Sequence, residues 1–171
     1  RPRKPRGRAH RVNPQGATID TADYGILTPA WAGTRAAELT SDTAFVQAML
    51  DVESAWVHVQ AAHGLCTEAD AHAVAQTAHV DRYDLAQLAA KTPDGANALI
   101  PLLGMMRQLL VDDGAPASAS SALHRGATSQ DIIDTALMVL ARDALQLLTE
   151  DLRRAGRGLA AIAAEHRNTT C

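Results

Sequence analysis

The feature that most constrains this chain is an unbroken helical pattern near its carboxyl end. From Thr128 to about Arg167 there is no proline, and apolar residues recur at helical spacing. The residues of this stripe are Ile133, Leu137, Leu140, Ala144, Leu147, Leu159 and Ile162. A helix of about 38 residues spans roughly 57 Å, whereas a compact domain of this length has a radius of gyration of about 16 Å. We therefore expect the helix to pack against partner chains or against later parts of a longer polypeptide.

Shorter helical patterns precede the long one. The side chains of Thr40, Ser41 and Asp42 can cap a helix whose apolar stripe is formed by Phe45, Met49, Val52, Trp56 and Val59. Further helices are predicted from Thr67 to about Thr77, from Asp81 to about Ala90, and around Ile100, Leu103, Met106 and Leu110. Residues 91–95 are predicted to break the chain, and residues 114–123 are predicted to form a loop of small residues.

Composition supports an all-α fold. Aromatic residues make up 3% of the chain, and alanine and leucine are abundant, which favours helix over sheet. No apolar run approaches the roughly 18–20 residues that cross a bilayer, so no membrane partner is expected. The two cysteines, Cys66 and Cys171, lie far apart and match no metal-ligand spacing. We therefore expect no metal site, and a reducing, cytoplasmic location.

Charge is distributed unevenly along the chain. Six of the sixteen basic residues lie within the first eleven positions, and the remainder of the chain carries 10 basic and 19 acidic residues, a net charge of −9. Such an acidic body is a poor surface for nucleic acid, so no nucleic-acid partner is expected. Residues 1–26 are rich in proline, glycine and arginine and are predicted to be a disordered basic extension.

The densest cluster of polar residues, residues 124–131, joins the small-residue stretch to the long helix. A helix amino terminus offers unpaired N–H groups and the positive end of the helix dipole. The hydroxyls of Thr128 and Ser129 and the nearby His124 and Arg125 would complete a cradle for a carboxylate or phosphate. The same residues also fit a purely structural role, because Thr128 and Asp131 have the spacing of a capping box.

Other polar residues carry weaker signals. His58, His63, His72 and His79 lack the spacing to chelate one metal and are expected at the surface. Asn97 follows the predicted break. It could form a hydrogen bond within the loop, or it could be part of a binding site. Trp56, Met105 and Met106 are expected in the core rather than at a cofactor.

The stretch Leu123–Ala136, which reads Leu-His-Arg-Gly-Ala-Thr-Ser-Gln-Asp-Ile-Ile-Asp-Thr-Ala, closely resembles the first signature region of the fumarase/aspartase superfamily. Its Gly-Ala-Thr-Ser-Gln-Asp core looks most like the 3-carboxy-cis,cis-muconate cycloisomerases, with the adenylosuccinate lyases next. Supporting matches occur in order from about Leu27 to the end, among them residues 41–42, 49–53, 82–85, 97–102 and 142–145. One departure is Ala96, because the family usually has glycine directly before the asparagine.

The resemblance implies an all-α amino-terminal domain at residues 27–127 that leads into the first long helix of a central bundle at residues 128–171. Members are homotetramers that need no cofactor and act on small polycarboxylates, and in the cycloisomerases a substrate carboxylate closes a lactone in protocatechuate breakdown. Three subunits contribute the three signature regions to each active site. The second region only begins at His166, and the third, with its catalytic serine base, has no match. We therefore expect a fragment that is inactive alone.

Carried over residue by residue, the resemblance gives His124 a role in carboxylate binding or proton transfer. It makes Thr128, Ser129 and Gln130 carboxylate-binding residues, with Asn97 as a weaker candidate. Asp131 would orient the turn. Two alternatives stay open, namely an adenylosuccinate lyase-like enzyme and a non-catalytic helical oligomerisation module.

Overall fold

The computed structural model describes residues 28–170, and every regular element in this range is helical. This confirms the all-α prediction. The predicted disordered extension at residues 1–26, and Cys171, lie outside the described residues. The chain divides into two compact units after Leu39. The described part of the first unit contains the short helix α1, Arg35–Leu39.

The second unit contains six α-helices: α2, Asp42–Ala62; α3, Glu68–Thr77; α4, Leu85–Gly95; α5, Leu99–Asp112; α6, Ala117–Ala122; and α7, Ser129–Glu165. Ser41 caps α2 by accepting a hydrogen bond from the N–H of Ala44. Thr67 and Asp70 form a capping box at the start of α3. The predictions for α2, α3, α5 and α7 are confirmed. Each rested on a cap or an apolar repeat, and both are local signals that can be recognised along the chain. The division of the chain at residue 128 stays a prediction.

The predicted helix from Asp81 to Ala90 and the break at residues 91–95 are wrong in position. A single 3-10 turn spans Val80–Arg82, and α4 begins only after Asp84, whose carboxylate accepts hydrogen bonds from the N–H groups of residues 86 and 87. The helix then continues through Pro93 to Gly95. Pro93 has no N–H to donate to the carbonyl four residues back, so the last turn of α4 lacks one of its hydrogen bonds.

The stretch of small residues at 114–123 is not wholly a loop, because Ala117–Ala122 form α6. Two of its alanines, Ala119 and Ala122, are buried against the core. Ser118 donates a hydrogen bond of 2.6 Å to the Asp70 carboxylate on α3. Contacts distant in sequence thus select helix for a segment whose composition alone predicts a loop.

The buried face of α2 differs from the predicted stripe. Val59 is 47% exposed, whereas Glu53 and Gln60 are buried. These two polar residues lie on the same side of the helix as Val46, Met49, Leu50 and Val57. The core behind this face comes mainly from α3, α5 and the start of α7. Its fully buried large apolar residues are Met49, Leu50, Val57, Val74, Leu99, Leu102, Met106, Leu110 and Leu123.

The long helix α7 has 37 residues and is buried only near its start, at Ile132, Ala136 and Leu140. All of its residues from Asp151 onward are exposed within the described part of the chain. Apolar side chains are among them, and Leu152 and Leu159 are 64% and 68% exposed. The helix therefore extends past the core of its own unit, as its length predicted. None of the described helices combines the length and apolar character that a membrane span requires.

Candidate functional site

The first turn of α7 is closed by a capping box between Thr128 and Asp131. The Thr128 hydroxyl accepts a hydrogen bond from the Asp131 N–H, and the Asp131 carboxylate accepts from both the N–H and the hydroxyl of Thr128, each at 2.8 Å. These bonds hold the pKa of Asp131 below its usual range. The capping box predicted for Thr128 and Asp131 is therefore confirmed.

The capping box leaves other groups of the turn available. The N–H groups of Ser129 and Gln130 have no acceptor inside the helix, since they occupy its first two positions. Among the described residues the Ser129 hydroxyl has no hydrogen-bond partner, and its side chain is half-buried. The Gln130 side chain, by contrast, donates to Asp134 one turn further on. An anion would therefore meet two backbone N–H groups and one hydroxyl here.

Residues 122–125, at the end of α6 and the start of its connection to α7, are each held by a side chain from α2 or α5. Gln60 donates to the carbonyl of residue 122 at 3.0 Å, and Arg107 donates to the carbonyl of residue 123 at 3.4 Å. The Trp56 indole N–H donates to the carbonyl of residue 125 at 2.9 Å. We call this stretch the 122–125 segment. Three of its backbone carbonyls thus accept a hydrogen bond from a side chain of α2 or α5.

The remaining tie to the 122–125 segment joins Glu53 to His124. The Nδ1 atom of His124 lies 2.6 Å from Oε1 of Glu53. The Glu53 side chain has no exposed surface, whereas that of His124 keeps 15% of its surface exposed. Burial raises the pKa of Glu53, although the hydrogen bond to His124 acts in the opposite direction. Oε2 of Glu53 is buried and has no hydrogen-bond partner among the described residues.

Backbone geometry also marks this segment. His124 has a φ of 61°, in the left-handed region that non-glycine residues rarely adopt, and Gly126 follows with a φ of 72°. Holding a histidine in this conformation costs about 1 kcal/mol or more. The Arg125 guanidinium reaches back and donates to the Leu65 carbonyl at 2.7 Å. The ties to α2 and α5 thus stabilise a backbone that is unfavourable by itself.

Asn97 lies at the turn between α4 and α5. Its side-chain oxygen accepts hydrogen bonds from the N–H groups of Leu99 and Ile100, at 3.0 and 3.3 Å. The oxygen therefore acts as a helix cap, and in the described chain the residue shares no hydrogen bond with residues 124–130. Ala96, directly before it, has a φ of 61°. That conformation suits glycine, which is the residue that the family usually has there.

The residues that hold the 122–125 segment were not predicted from the sequence. Glu53, Trp56 and Gln60 are spaced at three and four positions along α2, so they share one side of the helix. The available signal was that Glu53 and Gln60, seven residues apart, fall on the same face of α2 as the apolar Met49, Leu50 and Val57. Apolar periodicity alone could not have found it, because the burial of this pair depends on partners about 60–70 residues away.

The predictions for the other histidines and the methionines can be compared directly. His58, His63, His72 and His79 are all exposed, as expected. Met106 is fully buried, Met105 is half-buried, and Trp56 is half-buried with its indole N–H on the 122–125 segment. Within the described part of the chain, no group of three or more histidine, cysteine, aspartate or glutamate side chains is placed to hold a metal ion.

Comparison with known proteins identifies relatives across most of the chain. It is 38% identical over 161 residues to the nitrosuccinate lyase of Streptomyces davaonensis, a match covering 93% of this chain and 33% of the relative. It is 35% identical over 151 residues to the 3-carboxy-cis,cis-muconate cycloisomerase of Bradyrhizobium diazoefficiens, covering 88% of this chain and 33% of the relative. The chain thus spans about a third of the length of these relatives. No protein-family model matches it.

A solved structure agrees with the sequence relatives. The 3-carboxy-cis,cis-muconate lactonizing enzyme from Pseudomonas putida superimposes with a TM-score of 0.73 at 32% identity, over 76% of this chain and 29% of that one. A related cycloisomerase from Acinetobacter calcoaceticus gives a TM-score of 0.71. Fold, sequence and the signature at Leu123–Ala136 point the same way. The chain belongs to the fumarase/aspartase superfamily.

Proposed function

We propose that the chain is part of a 3-carboxy-cis,cis-muconate cycloisomerase-like enzyme, which closes a lactone in the breakdown of protocatechuate. The reaction adds a substrate carboxylate oxygen to one carbon of a double bond and a proton to the neighbouring carbon. Relatives of this name match the chain at 35% and 36% identity. The observation that carries the proposal is that Glu53 holds His124 five positions before the first residue of α7, whose first turn has two free N–H groups.

In this proposal the site binds one carboxylate of a polycarboxylate substrate. The N–H groups of Ser129 and Gln130 and the hydroxyl of Ser129 donate to its oxygens, and the dipole of α7 adds favourable potential. His124 binds the same carboxylate or assists proton transfer. Thr128 contributes indirectly, because its hydroxyl is engaged by Asp131. Asn97 is proposed to orient the neighbouring turn and to contact substrate through its amide nitrogen.

A second candidate is a lyase acting on nitrosuccinate, favoured by the 38% identity over 93% of the chain. Adenylosuccinate lyase, at 29% identity over 126 residues, is a further alternative. The name of each of these relatives contains either succinate or carboxymuconate. The common feature that we propose for the substrate is therefore two or more carboxylates, one of which binds at the start of α7.

We further propose that the protein is a cytoplasmic homotetramer whose central bundle is built from α7. The exposed apolar side chains of α7 favour this arrangement, because water-exposed leucines along a helix that leaves its own core gain by burial against equivalent helices. A non-catalytic oligomerisation module would share this property. Only ligand binding separates the two, so binding is the test.

The test is a titration of the 15N-labelled chain with 3-carboxy-cis,cis-muconate, followed through amide resonances. We expect the amides of Ser129 and Gln130 to shift and saturate. Nitrosuccinate and adenylosuccinate serve as comparison ligands, and acetate as a monocarboxylate control. Turnover by this chain alone is not expected. Absence of any saturable shift at these amides with all three polycarboxylates would refute the proposed carboxylate site at the start of α7.

Matched variants locate the site. Ser129→Ala removes the free hydroxyl without touching the capping box, so we expect weaker binding at unchanged stability. Thr128→Ala removes a cap worth about 1 kcal/mol and is expected to weaken binding as well. Thr67→Ala is the control, since Thr67 and Asp70 form the same capping box on α3. It should lose stability and keep its affinity for the ligand.

A further inference from the structure

The contact between Glu53 and His124 occupies one ring nitrogen of the histidine and leaves the other, Nε2, for a different partner. Nδ1 is committed to Glu53 at 2.6 Å, and Nε2 has no hydrogen-bond partner among the described residues. Because Glu53 is fully buried and His124 is partly exposed, the ring offers only Nε2 to an incoming group. The nature of that group depends on how many protons the pair carries.

Two arrangements are compatible with this hydrogen bond. In the first arrangement the pair carries two exchangeable protons, one between Glu53 and Nδ1 and the other on Nε2. This holds whether the first of them belongs to the carboxyl group or to the ring. If the pair carries one proton, it lies on Nδ1 facing an ionised Glu53, and Nε2 presents a lone pair. The first form donates to an anion, whereas the second acts as a base.

The surroundings favour the form with two protons. The form with one proton buries a net negative charge on a side chain with no exposed surface, which is costly. Burial raises the pKa of Glu53, and this outweighs the opposing effects of His124 and of the Arg107 guanidinium on α5. Oε2 of Glu53, without a donor, gives the ionised carboxylate no further stabilisation.

We propose that Glu53 is a positioning residue that holds Nδ1 of His124 and keeps Nε2 protonated, so that His124 donates a hydrogen bond to the substrate carboxylate rather than acting as a base. The inference rests on the proposed carboxylate site and assigns His124 one of the two roles left open for it.

The test uses the chain labelled with 15N in its histidines, near neutral pH without ligand. Long-range proton–nitrogen spectra report which ring nitrogen carries a proton. We expect a protonated Nε2 at His124, and at Nδ1 a downfield, slowly exchanging proton. A lone pair on Nε2 at neutral pH would overturn the inference. This measurement needs no variant, so it stands even if a variant fails to fold.

Glu53→Leu removes the partner and fills the space with an apolar side chain, which avoids burying an unpaired charge. We expect His124 to lose its downfield Nδ1 proton and its single ring state, and the affinity for 3-carboxy-cis,cis-muconate to fall about tenfold, as for one charge-assisted hydrogen bond. Gln60→Leu is the matched control, because it removes a buried polar side chain from the same face of α2. His124 signals that are unchanged in Glu53→Leu, or equally altered in both variants, would refute a specific role for Glu53.

Failure of the proposed function is distinguishable from failure of this inference. If the nitrogen signals of the unmodified chain behave as expected but the amides of Ser129 and Gln130 ignore every polycarboxylate, the substrate role is overturned while the proton arrangement holds. If ligand binds but Nε2 carries a lone pair, the proposed function holds and the inference fails.

Discussion

Replacing Ala96 with glycine is expected to stabilise this protein. Ala96 ends α4 with a φ of 61° and a ψ of −8°, a left-handed conformation in which a side chain crowds its own backbone. That crowding costs a non-glycine residue about 1–2 kcal/mol. Glycine avoids it, although it loses about 0.5–1 kcal/mol through the greater freedom of the unfolded chain. Ala96 is exposed, so losing its methyl group sacrifices little packing.

The net expectation for Ala96→Gly is a gain of about 0.5–1 kcal/mol in the free energy of unfolding, which corresponds to a rise of about 1–4 °C in Tm. Urea and thermal denaturation followed by circular dichroism measure both quantities. Ala98→Gly is the control, because Ala98 has the same side chain two residues later with a right-handed φ of −72°. It should lose about 0.5–1 kcal/mol.

The reasoning is refuted if Ala96→Gly is no more stable than the unmodified chain, or if both glycine variants shift stability in the same direction. A gain confined to position 96 would show that strain at this turn is a cost of the departure from the family pattern. It would also leave Asn97, whose oxygen caps α5, available to be tested separately for substrate binding.

Three further outcomes are expected. Burial raises the pKa of Tyr83 to about 12, against about 10 when unfolded, so unfolding releases a proton between these values and stability falls by about 2 kcal/mol from pH 10 to pH 12. In Tyr83→Phe this fall should be reduced, as measured by urea unfolding at each pH, and an identical fall would contradict the assignment. The double variant Leu145→Glu, Leu152→Glu places charges on the exposed apolar face of α7. Sedimentation velocity should then show a shift toward monomer, while the helical content of the core is retained. Unchanged assembly would refute a bundle through this face. Ser129→Ala should leave Tm within about 1 °C of the unmodified chain, whereas Thr128→Ala should lower it by about 3 °C because only the latter loses its cap; equal shifts would show that both hydroxyls are structural.

Local signals predicted much of the helical framework. The caps at Ser41, Thr67 and Thr128 are each made by a side chain and an N–H group two or three residues apart, so they can be read along the chain. The length of α7 and its departure from the core followed from the absence of proline and from simple dimensions. The cluster at residues 124–131 stood out because it has more polar groups than a helix cap needs.

At residues 117–122, where the prediction failed, the deciding contacts were remote in sequence. Residues 117–122 become helical because Ser118 reaches Asp70 and two alanines fit against the core. The start of α4 moved to Asp84, whose capping bonds compete with an equally plausible cap at Asp81. Composition and spacing show which conformations a segment can adopt alone. Contacts with neighbouring residues determine which of them it adopts in the fold.

The sequence by itself determined that this chain is helical, that its last helix extends beyond one domain, and that polar groups gather where that helix begins. Those properties depend on residues within one or two turns of each other. Only the tertiary structure decided that Glu53 and Gln60 turn inward and that the 122–125 segment is held residue by residue. Burying a carboxylate or an amide is favourable only when partners lie opposite it, and those partners are brought there by the fold.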